Sequence, residues 1–154
     1  MLNPLMSRGE SKLPFVRFSK TLKRQDLLEA GIPVDKILSM MGRVYAILHF
    51  HCRVNGDDIE FHLGSCRNSE TGYRVWVLDM DRCKRMDMTD PEHIAFVFMR
   101  NDLVIPRGRC GELGYEAFKG GYLETAESLS ADNLDVAQQV MLLFEGMQVR
   151  RDRR

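Results

Sequence analysis

The chain has 154 residues, which is enough for one domain with a substantial apolar core and too few for two ordinary domains. Lys and Arg together number 22, as do Asp and Glu, so no net charge attracts the chain to nucleic acid or to an anionic membrane. No apolar run approaches the roughly 20 residues of a membrane span, and residues 1–10 lack the apolar core of a signal peptide. We therefore expect an intracellular protein, cytoplasmic or nuclear, without a membrane or nucleic-acid partner.

The two ends of the chain differ in composition from its middle. Residues 1–12 show little periodicity and are predicted to be a flexible lead-in, and residues 149–154 are predicted to be a basic, solvated tail. Residues 13–148 between them form the predicted globular domain. Within it, residues 20–30 have helical spacing and are followed by Gly31, a common residue at helix ends.

Apolar residues recur at three- and four-residue steps over residues 34–51, which predicts an amphipathic helix of about four turns. A second interpretation starts from Asn55 and Gly56, a favoured two-residue hairpin turn. In that hairpin, His49 would face His62 across two paired strands. The length of the periodic run favours the helix.

Residues 58–64 alternate apolar and polar side chains, as a half-buried strand does. Residues 73–79 are rich in β-forming residues without alternation, which predicts an inner strand covered on both faces. The polar connection between them predicts an antiparallel hairpin. The aromatic residues inside the apolar runs are expected in the core: Phe61, Trp76, Phe96 and Phe98.

Helices are predicted for the rest of the chain. An Asp-Pro pair starts one over residues 90–99, a second covers 115–126 with an interruption at Gly120 and Gly121, and a third covers 131–148. The predicted fold is a mainly helical, single α+β domain with a small antiparallel hairpin at about 58–64 and 73–79.

Two aspartates at a strand end are the first candidate site. Asp79 and Asp81 are two residues apart and would point the same way from extended backbone, an arrangement that suits magnesium or calcium. The alternative is structural, because Asp commonly bonds nearby backbone amides: the two residues would cap the following turn and pair with Arg82, Lys84 or Arg85.

The histidines and cysteines are weaker candidates. His49, His51, Cys52 and His62 carry donors for zinc, although no Cys-x-x-Cys pair is present and reduced thiols are expected. The alternative is that these histidines are partly buried and hydrogen-bonded. Cys83 has basic neighbours, which would lower the pKa of its thiol and favour the reactive thiolate. The alternative is a surface or semi-buried thiol without a catalytic role, because no partner histidine can be placed beside it from sequence.

Three segments, residues 46–49 followed by 57–64, then 76–83, and finally 101–107, together resemble a fungal family of unknown function that carries a zinc-finger-like label. The order of helix, turn, strand and strand ending in aspartate is also similar to the C-terminal lobe of kinase-like phosphotransferases. That resemblance implies that Asp79 binds magnesium beside nucleotide phosphates and that Asp57 or Asp58 lies near the catalytic loop.

The chain departs from the kinase-like pattern in its catalytic parts. It has no glycine-rich phosphate loop and no His-Arg-Asp sequence, and residues 1–33 are too few for an ordinary N-terminal lobe. The leading hypothesis is therefore a non-catalytic protein-interaction or regulatory module on a truncated kinase-like lobe, a pseudoenzyme that binds a protein partner or associates with itself.

The alternative is a small metabolite-binding or biosynthetic enzyme with a divalent metal at Asp79 and Asp81. In that case magnesium is the expected cofactor, and the ligand-binding residues would include Asp57, Asp58 and His49 as well.

Overall fold

The computed structural model describes residues 16–17, 29, 31–66, 73–101, 106 and 113–153. Its elements in chain order are strand β1 (Val16–Arg17), helix α1 (Val34–Ala46) continued by a π-helical turn (Ile47–His51), strands β2 (Glu60–Ser65) and β3 (Tyr73–Leu78), and helices α2 (Pro91–Arg100), α3 (Leu113–Leu129) and α4 (Ala131–Asp152). The predicted fold class is confirmed: a mainly helical α+β domain with a small antiparallel sheet.

Helix α1 confirms the favoured interpretation of residues 34–51. Ile37, Met41 and Tyr45 follow one another at four-residue steps and are all fully buried, so the periodic face is the core face. The last turn widens to the π form, in which the Cys52 N–H donates to the Ile47 carbonyl at 2.9 Å. The chain thus enters the following bend from a helix, and the alternative hairpin does not form.

Helices α1 and α3 cross with their backbones in contact. A Cβ atom on Gly42 would lie 2.0 Å from the carbonyl oxygen of Phe118, and a Cβ atom on Gly121 would lie 2.1 Å from that of Ser39. The predicted interruption at Gly120 and Gly121 is wrong, because α3 runs through both glycines without a break. The glycine at 121 permits a close helix crossing and does not end a helix.

Strand β2 lies between β1 and β3 and pairs Phe61 with Val77 and His62 with Trp76. Phe61 is buried on the face toward the helices, whereas Trp76 and Leu78 on the opposite face are 45% and 44% exposed. The prediction of an inner strand is therefore wrong. Within the described sheet β3 is an edge strand, and its outer face meets solvent.

Aromatic rings fill the centre of the core. Phe98 of α2 lies 5.2 Å from the ring of Tyr45 and 5.6 Å from that of Phe144, so it joins α1, α2 and α4. The core prediction is confirmed for Phe98 and Phe61. It is wrong for Trp76 and for Phe96, which lies on the exposed face of α2.

The ends of the later helices follow from their caps. The Asp90 carboxylate accepts a hydrogen bond from the His93 N–H at 3.0 Å and Pro91 is the first helical residue, as predicted for α2. Helix α4 continues to Asp152, four residues beyond its predicted end at Gln148. The first part of the predicted basic tail is therefore helical.

Some predictions fall on other parts of the chain. The lead-in at 1–12 lies outside the described residues, and so does the helix at 20–30 apart from Glu29, which is helical. Among the helices that the structure describes, none combines the length and the apolarity needed to cross a bilayer.

Candidate functional site

The segment after β3 returns alongside the bend that follows α1. Asn55 joins the two segments: its N–H donates to the Lys84 carbonyl at 2.9 Å, and its side-chain oxygen accepts from the Lys84 N–H at 2.9 Å. The same oxygen accepts from the Asp57 N–H at 3.2 Å. One asparagine thus joins the bend that carries Asp57 to the segment that follows β3.

Asp79 and Asp81 form an exposed carboxylate pair at the end of β3. A hydrogen bond with Asp81, and then the charge of Asp81, raise the pKa of Asp79, and the charges of Glu60 and Asp58 add to this effect. Asp58 is also paired with Arg82 at 3.3 Å. Excess negative charge is therefore concentrated where the hairpin meets the bend.

Three non-glycine residues around this region have left-handed backbone. Arg53, Asp58 and Asp79 have φ values of 57°, 62° and 59°. Such values are uncommon outside glycine, although Asp tolerates them better than most residues. The extended conformation of β3 therefore ends at Asp79.

The two aspartates of the bend have different surroundings. Asp57 is mostly buried and is paired with Arg100 at 3.3 Å. The Asp58 N–H donates to the side-chain oxygen of Asn101 at 3.1 Å, and the Asn101 amide nitrogen donates to the Gly56 carbonyl at 2.9 Å. Asn101 was not among the residues predicted from sequence. This buried asparagine fixes the shape of the bend, and its place directly after an apolar helix was the available signal.

His49 lies inside the core, apart from the exposed acids. Its Nδ1 is 2.8 Å from the Tyr122 hydroxyl, and its Nε2 is 3.4 Å from the Asn55 carbonyl oxygen. Burial lowers the pKa of His49 to about 4, only partly opposed by the Asn55 carbonyl. The imidazole is thus neutral near pH 7 and serves as a buried link between α1 and α3.

The predicted zinc donors are not assembled. His62 is 2.8 Å from the Glu60 carboxylate on the outer face of β2, whereas His51 and Cys52 are exposed at the end of the π-helical turn. The part of the chain that the structure describes contains no group of three or more His, Cys, Asp or Glu side chains placed to hold a metal ion. The helix at 34–51 removes the hairpin that would have joined His49 to His62.

Cys83 is a partly buried free thiol, as the structural alternative predicted, whereas the expected lowering of its pKa is wrong. Partial burial is the largest effect and raises the pKa of the thiol; the backbone of Gly56 lowers it by less, and the charges of Asp57 and Asp81 add smaller increases. Basic neighbours in sequence do not determine this pKa, because burial in the fold outweighs them.

Comparison with known proteins gives no relative for this chain: no protein-family model matches it, nor does any curated protein or solved structure. A function must therefore be argued from the geometry described above.

Proposed function

We propose that this chain is a non-catalytic protein-interaction module that binds an extended segment of a partner protein along β3. The observation that carries the proposal is a pair of exposed apolar side chains, Trp76 and Leu78, on the outer face of the edge strand β3, with Met80 exposed just beyond the strand end. We call these three residues the apolar strip. The three side chains are two residues apart, and each is more than two fifths exposed. A contiguous apolar surface of this kind commonly marks a binding site.

An edge strand can bind an extended segment of a partner by strand addition, through its backbone and through its side chains. Its outward N–H and C=O groups can pair with an incoming extended segment, which supplies affinity without regard to sequence. The apolar strip then contacts every second side chain of that segment, which supplies specificity. Trp76 is the expected anchor, since tryptophan is enriched among the residues that dominate binding energy.

The charge beside the strip indicates the chemistry of the partner. Met80 lies between Asp79 and Asp81, and the raised pKa of Asp79 shows that neighbouring acids disfavour its ionised form. A Lys or Arg side chain placed there would relieve that repulsion. The expected ligand is therefore an extended segment with alternating apolar residues and a basic residue at the end that lies over the acids.

We propose a non-catalytic function because neither the candidate nucleophile nor the candidate base among the described residues is activated or accessible for catalysis. The raised pKa of Cys83 disfavours its thiolate, and His49 is fully buried against Tyr122. The described groove of about 590 Å³ lies elsewhere, between α1 and α3, with Ser39 and Arg43 in its lining. The predicted acids therefore do not converge in that groove.

Peptide binding tests the proposal, and the single tryptophan of the chain is the reporter. Peptides that alternate Val and Thr and end in two Lys should shift Trp76 emission to the blue, with Kd on the order of 10–100 µM. Matched peptides ending in two Glu should bind at least about tenfold more weakly because of the acids. Equal affinity for the Lys and the Glu peptides, or no binding of either peptide, would overturn the proposal.

Variants test whether the peptide binds to the apolar strip or to another surface. By anisotropy of a labelled Lys peptide, Trp76→Ala should weaken binding about tenfold or more. Phe96→Ala is the matched control, since Phe96 is an exposed aromatic residue on α2 and should not affect binding. Asp79→Asn together with Asp81→Asn should remove the preference for Lys over Glu while leaving apolar contacts intact.

A second candidate function is a divalent-cation site of a metabolite-binding or biosynthetic enzyme. One observation favours it: the Asp79 and Asp81 carboxylates are within hydrogen-bonding reach of one another. Magnesium is often held by one or two carboxylates with water completing its shell, so this pair fits a magnesium ion only with water or substrate oxygens as further ligands.

Magnesium titration tests that candidate. Millimolar MgCl2 should raise Tm by several degrees more than NaCl of equal ionic strength, because an ion that binds only the folded state stabilises it. The increment should vanish in Asp79→Asn and persist in Glu127→Gln, which changes an exposed acid on α3. Equal increments for the two salts would reject the magnesium site.

A further inference from the structure

Among the described residues, a second exposed surface lies on helix α4, on the side opposite its core face. Ala137, Phe144 and Gln148 are buried against the domain, whereas Leu142 and Val149 are 70% and 46% exposed. Starting from Asp135, exposed residues recur at alternating four- and three-residue steps, and their directions around the helix axis stay within about 40° of one line along the helix. We call this set the α4 stripe: Asp135, Gln139, Leu142, Gly146, Val149 and Arg153.

We propose that two copies of this chain associate by antiparallel pairing of their α4 stripes. A twofold axis that crosses the stripe midway between Leu142 and Gly146 would place Leu142 over Gly146 of the second copy and Gln139 beside Val149. It would also place Asp135 next to Arg153 of the second copy. Each of these contacts occurs twice, as a symmetric interface requires.

The central contact is sterically complementary. Leu142 is a large exposed apolar side chain, and Gly146, one turn away, has no atom within 4 Å of the place where a Cβ would stand. The open space above Gly146 can receive a leucine and lets the two helices approach closely. Two leucines and two glycines would therefore form a knob-and-hole pair around the axis.

Charge selects the antiparallel direction. The exposed face of α4 is acidic near its start at Asp135 and basic near its end at Arg153. Antiparallel pairing brings these opposite charges together, whereas parallel pairing would bring like charges together and leave Gly146 facing Gly146 across a void. The register that satisfies the charges is also the one that fills the glycine space.

The expected dimer is weak and reversible. Each copy contributes only two large apolar side chains, and a single helix pair buries less than the roughly 1,200 Å² of a stable interface. We therefore expect Kd on the order of tens of micromolar. The α4 stripe shares no residue with the apolar strip of β3, so dimerisation and peptide binding are independent of one another.

Sedimentation equilibrium of the full chain over about 1–300 µM, at low salt, tests the dimer. Asp135→Arg or Arg153→Asp alone should raise Kd about tenfold, and the double variant should restore it by exchanging the charges. Leu142→Asp should abolish dimerisation. Met40→Asp is the matched control, because Met40 is an exposed apolar residue on α1 and the change should leave Kd unaltered.

A further variant separates dimerisation from folding. Gly146→Leu should make the monomer more resistant to urea, since leucine favours helix more than glycine does, and should weaken the dimer because it fills the space for Leu142. A monomer at every concentration would overturn the proposal, as would a dimer insensitive to Leu142→Asp or single charge reversals that the double variant does not rescue. Peptide binding to β3 should be unchanged in all of these variants.

Discussion

Replacing Gly121 with alanine should lower the free energy of unfolding by about 3 kcal/mol or more. The new Cβ would lie 2.1 Å from the Ser39 carbonyl oxygen and 2.8 Å from its carbon, so the backbones of α1 and α3 would have to move apart. Gly42→Ala should act in the same way, through the Phe118 carbonyl. Urea denaturation followed by far-UV circular dichroism measures both effects.

Gly120→Ala is the matched control for this prediction. Gly120 neighbours Gly121 on the same helix, but a Cβ there meets nothing within 4 Å. The substitution should therefore stabilise the protein by about 0.5–1 kcal/mol, because alanine loses less conformational entropy in a helix. If alanine at positions 120 and 121 had the same effect, the helices could not cross as closely as described.

The glycine pair shows where sequence reasoning about this fold succeeds and where it ends. Periodicity predicted α1, and an Asp-Pro cap predicted the start of α2, because both signals are local. A glycine in a helical pattern has two explanations, a break or a close approach. Only the packing of α1 on α3 distinguishes them, and Ser39 is far from Gly121 in sequence.

Trp76 illustrates a second limit. Its strand was predicted from composition, which is local, and the pairing with β2 is confirmed. Whether an apolar strand has one or both faces covered depends on which other elements reach it. Without knowledge of that packing, an exposed binding strand and an inner strand have the same composition.

The site was only partly predictable for the same reason. The two-residue spacing of Asp79 and Asp81 indicated a carboxylate pair, and the structure has one. His49 is a residue type that often binds metals or ligands, but it is buried against Tyr122, which belongs to a helix distant in sequence. Asn101 was not singled out because a single asparagine after a helix is common, and its role depends on the bend it meets.

Acidification from pH 7 to pH 4 should lower the free energy of unfolding by about 3 kcal/mol through His49 alone. Burial depresses the pKa of His49 from 6.5 to about 4. Between those values the unfolded chain binds a proton that the folded chain does not, so stability falls as pH falls through this window and is fully present above about pH 6.5. Urea denaturation at half-unit pH steps measures the slope.

Two histidine variants test whether His49 causes this dependence of the free energy of unfolding on pH. His49→Gln should be less stable at pH 7, since it disturbs the contact with Tyr122, but should lose most of the dependence between pH 6.5 and pH 4. His51→Gln, at an exposed position of the same helical turn, should keep both the stability and the slope of the unmodified protein.

The two described carboxylates with shifted pKa values, Asp79 and Asp87, act in the opposite direction to His49 or in a lower pH range. Hydrogen bonds from Thr89 lower the pKa of Asp87 below its ordinary 3.8, and the stabilisation from Asp87 is therefore lost only at still lower pH. The raised pKa of Asp79 means that protonation near and above 3.8 favours the folded state. An unchanged slope in His49→Gln would therefore contradict the buried, neutral imidazole as the source of acid sensitivity.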